Sequence, residues 1–508
     1  MNDFPMSASV LSYIVFLPIF TALCILLGAP ARKSALCTAG LNFFFTLLGF
    51  FAYGRDEGGY QLNAVMALIP AWGLSLNFAA DGLSLVMLLL TTTVTLAAVW
   101  VTPAIEKRAG LFYACIMLIS AGAAGAFVSQ DLFFFYAFHE LALIPTFLMI
   151  GIWGSGERQK AAWQITIYLA VGSIVLLIGL IKLYLAFPPE LRTFDIETLI
   201  ANRDVLSAAT QGGIYIWLLI GFGILISLFP FHTWAPTAYA SAPTPVTMLH
   251  AGVLKKFGLY GLIRVALPLL PEGAKHWANL LLVLLVCNII YIGLVTIAQK
   301  KVDLMLGYSS VMHMGYVFLG IAAGNVMGIT GASMLMLAHG LSIAVLFAMS
   351  GEVRRLYGTL EFSKLGGIAK KHAFLGYAFG IAAFASIGLP GFANFSSELM
   401  VFFGAFSQGA IRYSTSFTPI QIATVFALWG VVISAVYMLR MYHLVFMGEP
   451  DSATTSSIQP SCTLRLPVIF LILALVVGGF FPQLFINYLK PSAQRLINEV
   501  ATQTASNH

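Results

Sequence analysis

Residues 133–145 read FFFYAFHELALIP, an aromatic and aliphatic run that holds one carboxylate, Glu140, in its middle. A membrane-spanning helix needs about 20 mostly apolar residues, and the apolar segment around this run extends over 132–153. A charge at the bilayer centre costs about 2.5–3.5 kcal/mol on the insertion scale, so carboxylates in such segments usually have a role. The stretch therefore predicts a membrane helix that carries a functional glutamate.

The composition of the whole chain also indicates a membrane protein. Of the 508 residues, 59% are hydrophobic and 9% are charged, and the mean hydropathy is +0.91. Soluble domains are about 45–50% apolar and about 25% charged. A water-soluble core cannot bury so much apolar surface, which excludes a soluble enzyme, a nucleic-acid-binding protein and a disordered scaffold. The net charge of +6 (26 basic minus 20 acidic residues) is then ascribed to cytoplasmic loops.

Hydropathy predicts an all-α polytopic membrane protein with 14 spanning helices. The predicted spans are 10–29, 34–54, 78–103, 110–128, 132–153, 161–187, 212–231, 244–267, 277–299, 304–323, 330–350, 373–408, 419–447 and 466–488. When the loops are assigned alternately to two sides, one side collects most of the basic residues. They are Arg32, Lys33, Lys107, Arg108, Arg158, Lys160, Lys300, Lys301, Arg354, Arg355, Lys364, Lys370 and Lys371. The positive-inside rule makes this side cytoplasmic and places both termini on the periplasmic side.

Two predicted spans contain helix breakers. Pro230 lies at the end of span 7 with Pro236 shortly after it, and Pro390 lies in span 12. Proline removes a backbone hydrogen bond, and irregular backbone survives at membrane depth only where protein or water satisfies it. Breaks five spans apart indicate an internal repeat with an ion path nearby. The predicted organisation is 1–109 with helices 1–3, 110–270 with a first five-helix repeat, 271–450 with a second repeat, and 451–508 with helix 14 and a tail.

Further ionisable residues lie inside predicted spans. They are Lys255 and Lys256 in span 8, His313 in span 10, His339 in span 11 and Glu398 after the break in span 12. Alternating Glu, Lys and His suit proton transfer, because moving one charge changes which neighbour holds the proton. A lone buried histidine is more often a structural group, so the two histidines are the weaker candidates. The five cysteines form no CxxC pair and no nucleotide-binding motif is present, so we expect no cofactor or metal site.

Several motifs, taken in order, resemble the antiporter-like subunits of respiratory complex I, the bacterial NADH:quinone oxidoreductase. They are Asp81-Gly82-Leu83-Ser84, His139-Glu140-Leu141-Ala142, His232-Thr233-Trp234-Ala235-Pro236, Gly252-Val253-Leu254-Lys255-Lys256, Gly307-Tyr308-Ser309-Ser310, Leu337-Ala338-His339-Gly340 and Gly388-Leu389-Pro390-Gly391. The chain length favours the branch of subunit M, the counterpart of mitochondrial subunit 4. The resemblance implies two inverted five-helix repeats, discontinuous helices 7 and 12, and proton translocation coupled to quinone reduction in other subunits.

The resemblance also implies roles for individual residues. Glu140 would lie at a subunit border, and Lys256 would be the central lysine of helix 8. His313 and His339 would bridge the two halves, and Glu398 would be the exit residue. NAD, FMN, iron–sulfur clusters and quinone are expected in partner subunits and none in this chain. The expected partners are other membrane subunits, including neighbouring antiporter-like subunits, together with the lipid bilayer and protons, and no nucleic acid.

The sequence departs from the family pattern in span 7. The family usually has a lysine seven residues before the histidine of the His232 motif, and that position is Leu225. We hypothesise that His139, His250 or Lys255 replaces the missing base. The alternative is that His139 fills a slot usually held by an aromatic residue and that this half works differently.

Three functions are compatible with the sequence. The first is a proton-translocating subunit of a complex I-type enzyme, which the chain length and the Glu398 motif favour. The second is a subunit of a multisubunit cation/proton antiporter, an inorganic-carbon uptake complex or a membrane-bound hydrogenase. The third is a passive structural spacer, against which the cost of unused buried charge argues.

Overall fold

The computed structural model describes residues 6–55, 58–69, 73–407, 416–449 and 462–506. They form a bundle of helices that follows the predicted spans. The long uninterrupted helices are Met6–Leu26, Ala31–Ala52, Gly82–Val101, Ala109–Val128, Leu132–Trp153, Arg158–Ala186, Val302–Ala322, Val326–Tyr357, Pro419–Phe446 and Cys462–Phe480. Within the described residues, 11 helices are long and apolar enough to cross a membrane. The chain is therefore an all-α polytopic membrane protein.

Two helices are broken in the middle of apolar segments. Ala208–Ile226 is followed by Trp234–Ser241, and Ala373–Ile387 is followed by Ala393–Ser407. Pro230 and Pro390 lie in the gaps between the paired helices. Pro236, the other predicted helix breaker, lies just after the first gap. It lies in the first turn of Trp234–Ser241, where no partner for its missing N–H would exist in any case.

Two other helices are interrupted by π-turns, which no proline or glycine pattern predicted. The helix over 244–269 contains the π-turns His250–Leu254 and Leu262–Ala266. The helix over 278–297 contains the π-turn Cys287–Tyr291. A π-turn widens the helix by one residue and is frequent at functional sites. Both helices therefore change their register along their length.

A β-hairpin follows the second helix, where hydropathy predicted only a loop. Strand β1 (Gln61–Ile69) pairs antiparallel with β2 (Leu74–Ala80), and the register sets Gln61 opposite Ala80. In β2, buried and partly exposed residues alternate before a fully buried end. This period of two was the missed signal, because a helix-length hydropathy window averages it away.

The C-terminal segment also differs from the prediction. Span 14 ends at Phe480, and Gln483–Ser506 forms a further helix where a tail was predicted. Leu489 and Leu496, two turns apart, are both buried. This helix packs against the helix Gly82–Val101 and covers part of one end of the bundle. One apolar stripe on a polar helix explains why mean hydropathy did not detect it.

The opposite end of the bundle carries the lysine- and arginine-rich loops and is tied together by Arg354. Its guanidinium donates to Ser155 Oγ at 2.7 Å and to the Ala240 carbonyl at 3.0 Å. It also pairs with Asp303 at 2.5 Å. The helix Val326–Tyr357 is thereby fixed to both halves of the chain beside a polar cavity of about 660 Å³.

Candidate functional site

Lys256 is fully buried directly after the first π-turn of its helix. Its Nζ donates to the Ala251 carbonyl at 2.6 Å and lies 3.0 Å from Nδ1 of His339. In a regular α-helix the carbonyl five residues back is already bonded within the helix. At the π-turn His250–Leu254 the Lys255 N–H bonds the His250 carbonyl in place of the Ala251 carbonyl, which can then accept from the buried ammonium.

Two histidines continue from Lys256 into the second half of the chain. The ring centroids of His339 and His313 lie 5.7 Å apart. The two ring nitrogens of His313 lie 2.8 Å from the Ser309 carbonyl and 2.9 Å from the Ser386 carbonyl. Because a carbonyl can only accept, His313 forms both of these hydrogen bonds at once only when each ring nitrogen carries a proton. The structure thus brings three sequence-predicted residues together, across helices that are distant in the chain.

Glu398 lies just beyond the second break and is buried. Its Oε1 has no hydrogen-bond partner among the described residues, and neither has the hydroxyl of Tyr316. The carboxylate packs against Gly388, where a Cβ atom would lie 2.5 Å from Oε2 and where the φ of +82° also requires glycine. Buried polar atoms without protein partners are normally hydrated. No hydrogen bond joins Glu398 to His313 within the described part of the chain.

Glu140 lies on the side of the bundle, and its side chain is 36% exposed. Ser173, which sequence reasoning missed, donates a hydrogen bond to its carboxylate. His139 is buried, with its ring stacked on Phe257 at a centroid distance of 4.1 Å. His139 Nδ1 lies 3.5 Å from Glu140 Oε1, which is an ion-pair distance and too long for a hydrogen bond.

Leu225, at the position where the family has lysine, is buried. It packs near the helix that carries Ser173, since a Cβ atom on Gly172 would lie 3.2 Å from Leu225 Cδ2. The position is therefore apolar and packs against Gly172, the residue before the serine that bonds Glu140.

The contacts of the other two candidate replacements for the lysine are with Tyr239 and Ser310. His250 Nδ1 lies 3.2 Å from the hydroxyl of Tyr239. Lys255 Nζ lies 5.4 Å from the centroid of the same tyrosine ring and donates to Ser310 Oγ at 3.3 Å. Of the three candidates, His139 is the one that the described structure places beside Glu140.

Asn288 is a second residue that sequence reasoning missed. It is fully buried on the π-turn Cys287–Tyr291. Its Oδ1 accepts the Phe229 N–H at 2.6 Å, and its Nδ2 donates to the Val311 carbonyl at 3.0 Å. Asn288 therefore satisfies a backbone group that the first break sets free and ties it to a helix of the second half. An asparagine inside an apolar span was the available signal.

A sequence profile described as NADH:quinone oxidoreductase/Mrp antiporter, transmembrane, matches residues 129–423, more than half of the chain. The matched region contains all the residues of the Lys256, His339 and His313 series. The chain belongs to this family. Within the described residues, no group of three or more His, Cys, Asp or Glu could hold a metal ion.

Named relatives and a solved structure agree with this membership. The chain is 38% identical to NAD(P)H-quinone oxidoreductase chain 4-2 of Synechocystis sp., over 90% of this chain and 80% of that protein. It is 31% identical to NADH-quinone oxidoreductase subunit M of Rickettsia conorii, over 96% and 98% of the two chains. A chain of respiratory complex I from Thermus thermophilus with bound NADH superimposes with a TM-score of 0.86 at 28% identity, covering 97% of this chain and 100% of that one. The fold is thus that of the antiporter-like membrane subunits.

Proposed function

We propose that this chain is a proton-translocating membrane subunit of a complex I-type NADH:quinone oxidoreductase, with the redox chemistry located in other subunits. The observation that carries the proposal is the buried series from Lys256 through His339 to His313. It places three proton-carrying side chains in line inside an apolar bundle. Burying ionisable side chains in a membrane is costly, and such residues usually mark an ion or proton path.

The proposed path begins at Glu140 and ends at Glu398. The partial exposure of Glu140 on the side of the bundle supports contact with a neighbouring subunit of the same family. A change in charge there would alter the proton affinity of Lys256 through the apolar interior, where electrostatic interactions are weakly screened. The breaks before Trp234 and Ala393 fall in corresponding places of the proposed repeats, 110–270 and 271–450.

In the first half, His139 is the proposed substitute for the lysine absent at Leu225. Its position 3.5 Å from Glu140 supports this assignment, and its stacking on Phe257 fixes the ring. Phe257 is the neighbour of Lys256 in the chain. A proton on His139 would therefore stabilise the Glu140 carboxylate and repel a proton on Lys256. Proton pumping that is unchanged in His139→Phe but abolished in Glu140→Gln would exclude this role.

The membrane orientation is part of the proposal. The protein would lie in the bacterial inner membrane, with the Arg354 end in the cytoplasm and both termini on the periplasmic side. The distribution of lysine and arginine over the loops supports this orientation.

Vesicles that contain the assembled complex test the proposal. NADH-driven quinone reduction and proton uptake are measured for the parent, for Lys256→Ala and for Lys182→Ala. Lys182 is the matched control, since its ammonium lies 5.4 Å from the Trp217 ring centroid near the end of its helix. We expect Lys256→Ala to lose proton pumping and to slow quinone reduction, and Lys182→Ala to retain both. Unchanged pumping in an assembled Lys256→Ala complex would contradict the proposal and favour the antiporter function in the family's description.

A further inference from the structure

Lys256 also begins a second polar series, which runs away from His339. Tyr260 follows it by four residues within the α-helical segment Lys256–Gly261, so these two side chains lie on one side of the helix. Arg264 lies on the second π-turn, Leu262–Ala266. The Arg264 guanidinium carbon is 5.8 Å from the centroid of the Tyr260 ring.

Tyr260 connects this helix to its neighbours by hydrogen bonds. Its hydroxyl donates to the Phe127 carbonyl at 2.9 Å and lies 2.9 Å from Ser84 Oγ. Since the tyrosine proton points to the carbonyl, Ser84 donates to Tyr260. A hydroxyl pair of this kind can pass a proton by exchanging its donor and acceptor roles.

Arg264 closes the series with a buried ion pair to Asp81. The two side chains are 10% and 2% exposed. Asp81 precedes the helix Gly82–Val101, and its Oδ1 accepts the Ser84 N–H at 2.9 Å. Burial opposes the charge of Asp81, but the neighbouring guanidinium outweighs it and lowers the pKa of the carboxyl. The pair therefore stays ionised, and it touches the same serine that bonds Tyr260.

A polar cavity of about 250 Å³ lies on the far side of the pair. Tyr60, Glu197, Arg495 and Glu499 line it together with Asp81 and Arg264. The side chains of Glu197 and Arg495 are 47% and 38% exposed, so the cavity walls reach the surface at the end remote from Arg354. The volume and the polar walls suit several water molecules. The Arg264–Asp81 ion pair thus lies between the Tyr260–Ser84 hydrogen bond and this cavity.

We propose that the Arg264–Asp81 pair is an electrostatic gate that stops protons on Lys256 from escaping along this series to the outer aqueous phase. The inference rests on the proposed proton translocation. An arginine cannot release its own proton to relay another, and its fixed positive charge repels a proton that approaches through Tyr260. Asp81 holds the guanidinium in place and compensates its burial. Leakage is thereby suppressed, and the proton stays available to His339.

Passive proton leakage in vesicles of the assembled complex tests the gate. No electron donor is added, a potassium diffusion potential is imposed with valinomycin, and internal pH is followed with a dye. The double variant Arg264→Met/Asp81→Asn removes both charges, so no unpaired charge is left buried. We expect proton entry to accelerate about tenfold or more, since each 1.4 kcal/mol removed from a barrier gives a factor of ten.

Arg203→Met is the matched control. Arg203 is an arginine of the same end that donates to the Pro268 carbonyl at 2.7 Å and also contacts the Glu499 carbonyl, but it lies outside the series. We expect its leak rate to equal that of the parent. Adding Tyr260→Phe or Lys256→Ala to the double variant should return the leak to the parent rate.

Two results would overturn the gate. One is a parent-like leak from an assembled double variant with active quinone reduction, and the other is a leak that persists after Lys256→Ala is added. If the double variant does not assemble, Arg264→Lys keeps the ion pair but introduces a group that can release its proton. We expect Arg264→Lys to leak faster than the parent, and a parent rate would refute the gate. NADH-driven pumping by the parent separately tests the proposed function.

Discussion

Replacing Asn288 with leucine should loosen the break between Ile226 and Trp234. Asn288 bonds the Phe229 N–H and the Val311 carbonyl, and leucine of similar size can bond neither. Each buried backbone group left without a partner costs about 1–3 kcal/mol, so the two together cost about 2–6 kcal/mol. This cost should lower the free energy of local opening at the break more than the free energy of unfolding of the surrounding helices. The cost of the unpaired Phe229 N–H alone, about 1–3 kcal/mol, raises the equilibrium constant for local opening about 5–150-fold, since about 1.4 kcal/mol corresponds to a factor of ten.

Hydrogen–deuterium exchange read by mass spectrometry on the purified complex measures this opening. We expect peptides that cover 224–233 to exchange about 5–150-fold faster in Asn288→Leu. Thr296→Val is the matched control on the same helix, because Thr296 is buried but bonds only its own helix, at the Ile292 carbonyl. Exchange at 224–233 that is unchanged in Asn288→Leu would refute the assignment of Asn288 as the residue that holds the break.

Three further perturbations have defined outcomes. Asp131→Ala removes the cap of the helix Leu132–Trp153 and should lower stability by about 0.5–2 kcal/mol in thermal inactivation. Asp131→Asn should lose less, because its amide oxygen can still accept the Phe133 and Phe134 N–H groups, whereas its NH2 group cannot accept the Ser75 N–H. An equal loss in both variants would contradict this. Leu225→Lys should assemble while Glu140 is present to pair with the new ammonium. Leu225→Lys/Glu140→Gln should fail to assemble, because an unpaired buried charge costs about 3–5 kcal/mol. Equal assembly of the two variants in gel analysis would show that the two positions do not interact. Arg354→Met leaves the Asp303 carboxylate without its partner and should lower thermal stability by about 1.5–3 kcal/mol. Adding Asp303→Asn to the same chain should restore part of this loss. Parent-like stability of Arg354→Met would exclude a stabilising Arg354–Asp303 ion pair.

Hydropathy predicted the helical fold well because the bilayer imposes long apolar helices. The helix Leu132–Trp153 has the same bounds in sequence and structure, since Asp131 and Gly154 mark its ends. The break near Pro390 was predictable from its glycines and proline. The hairpin β1–β2 and the helix Gln483–Ser506 were missed because they are short or amphipathic, and their signals are periodic rather than cumulative.

The candidate site was predictable in its residues but not in its contacts. Glu140, Lys256 and Glu398 stood out because charge is rare in apolar spans. An asparagine in an apolar span marked Asn288 as unusual, but the sequence did not indicate that it bonds the first break or that Ser173 bonds Glu140. Such partners are neutral polar residues of ordinary types, and they are identified only by the packing of helices that are distant in the chain.

The π-turn His250–Leu254 helps to explain why two adjacent lysines have different contacts. Successive residues of an α-helix point about 100° apart, so Lys255 and Lys256 cannot face the same neighbour. The π-turn His250–Leu254 directs Lys256 to its own Ala251 carbonyl and to His339, while Lys255 turns to Ser310. A regular helix would withhold the Ala251 carbonyl and leave the buried ammonium with one acceptor fewer. The irregular backbone is therefore what makes Lys256, and not Lys255, the residue at which the series to His313 and the series to Arg264 meet.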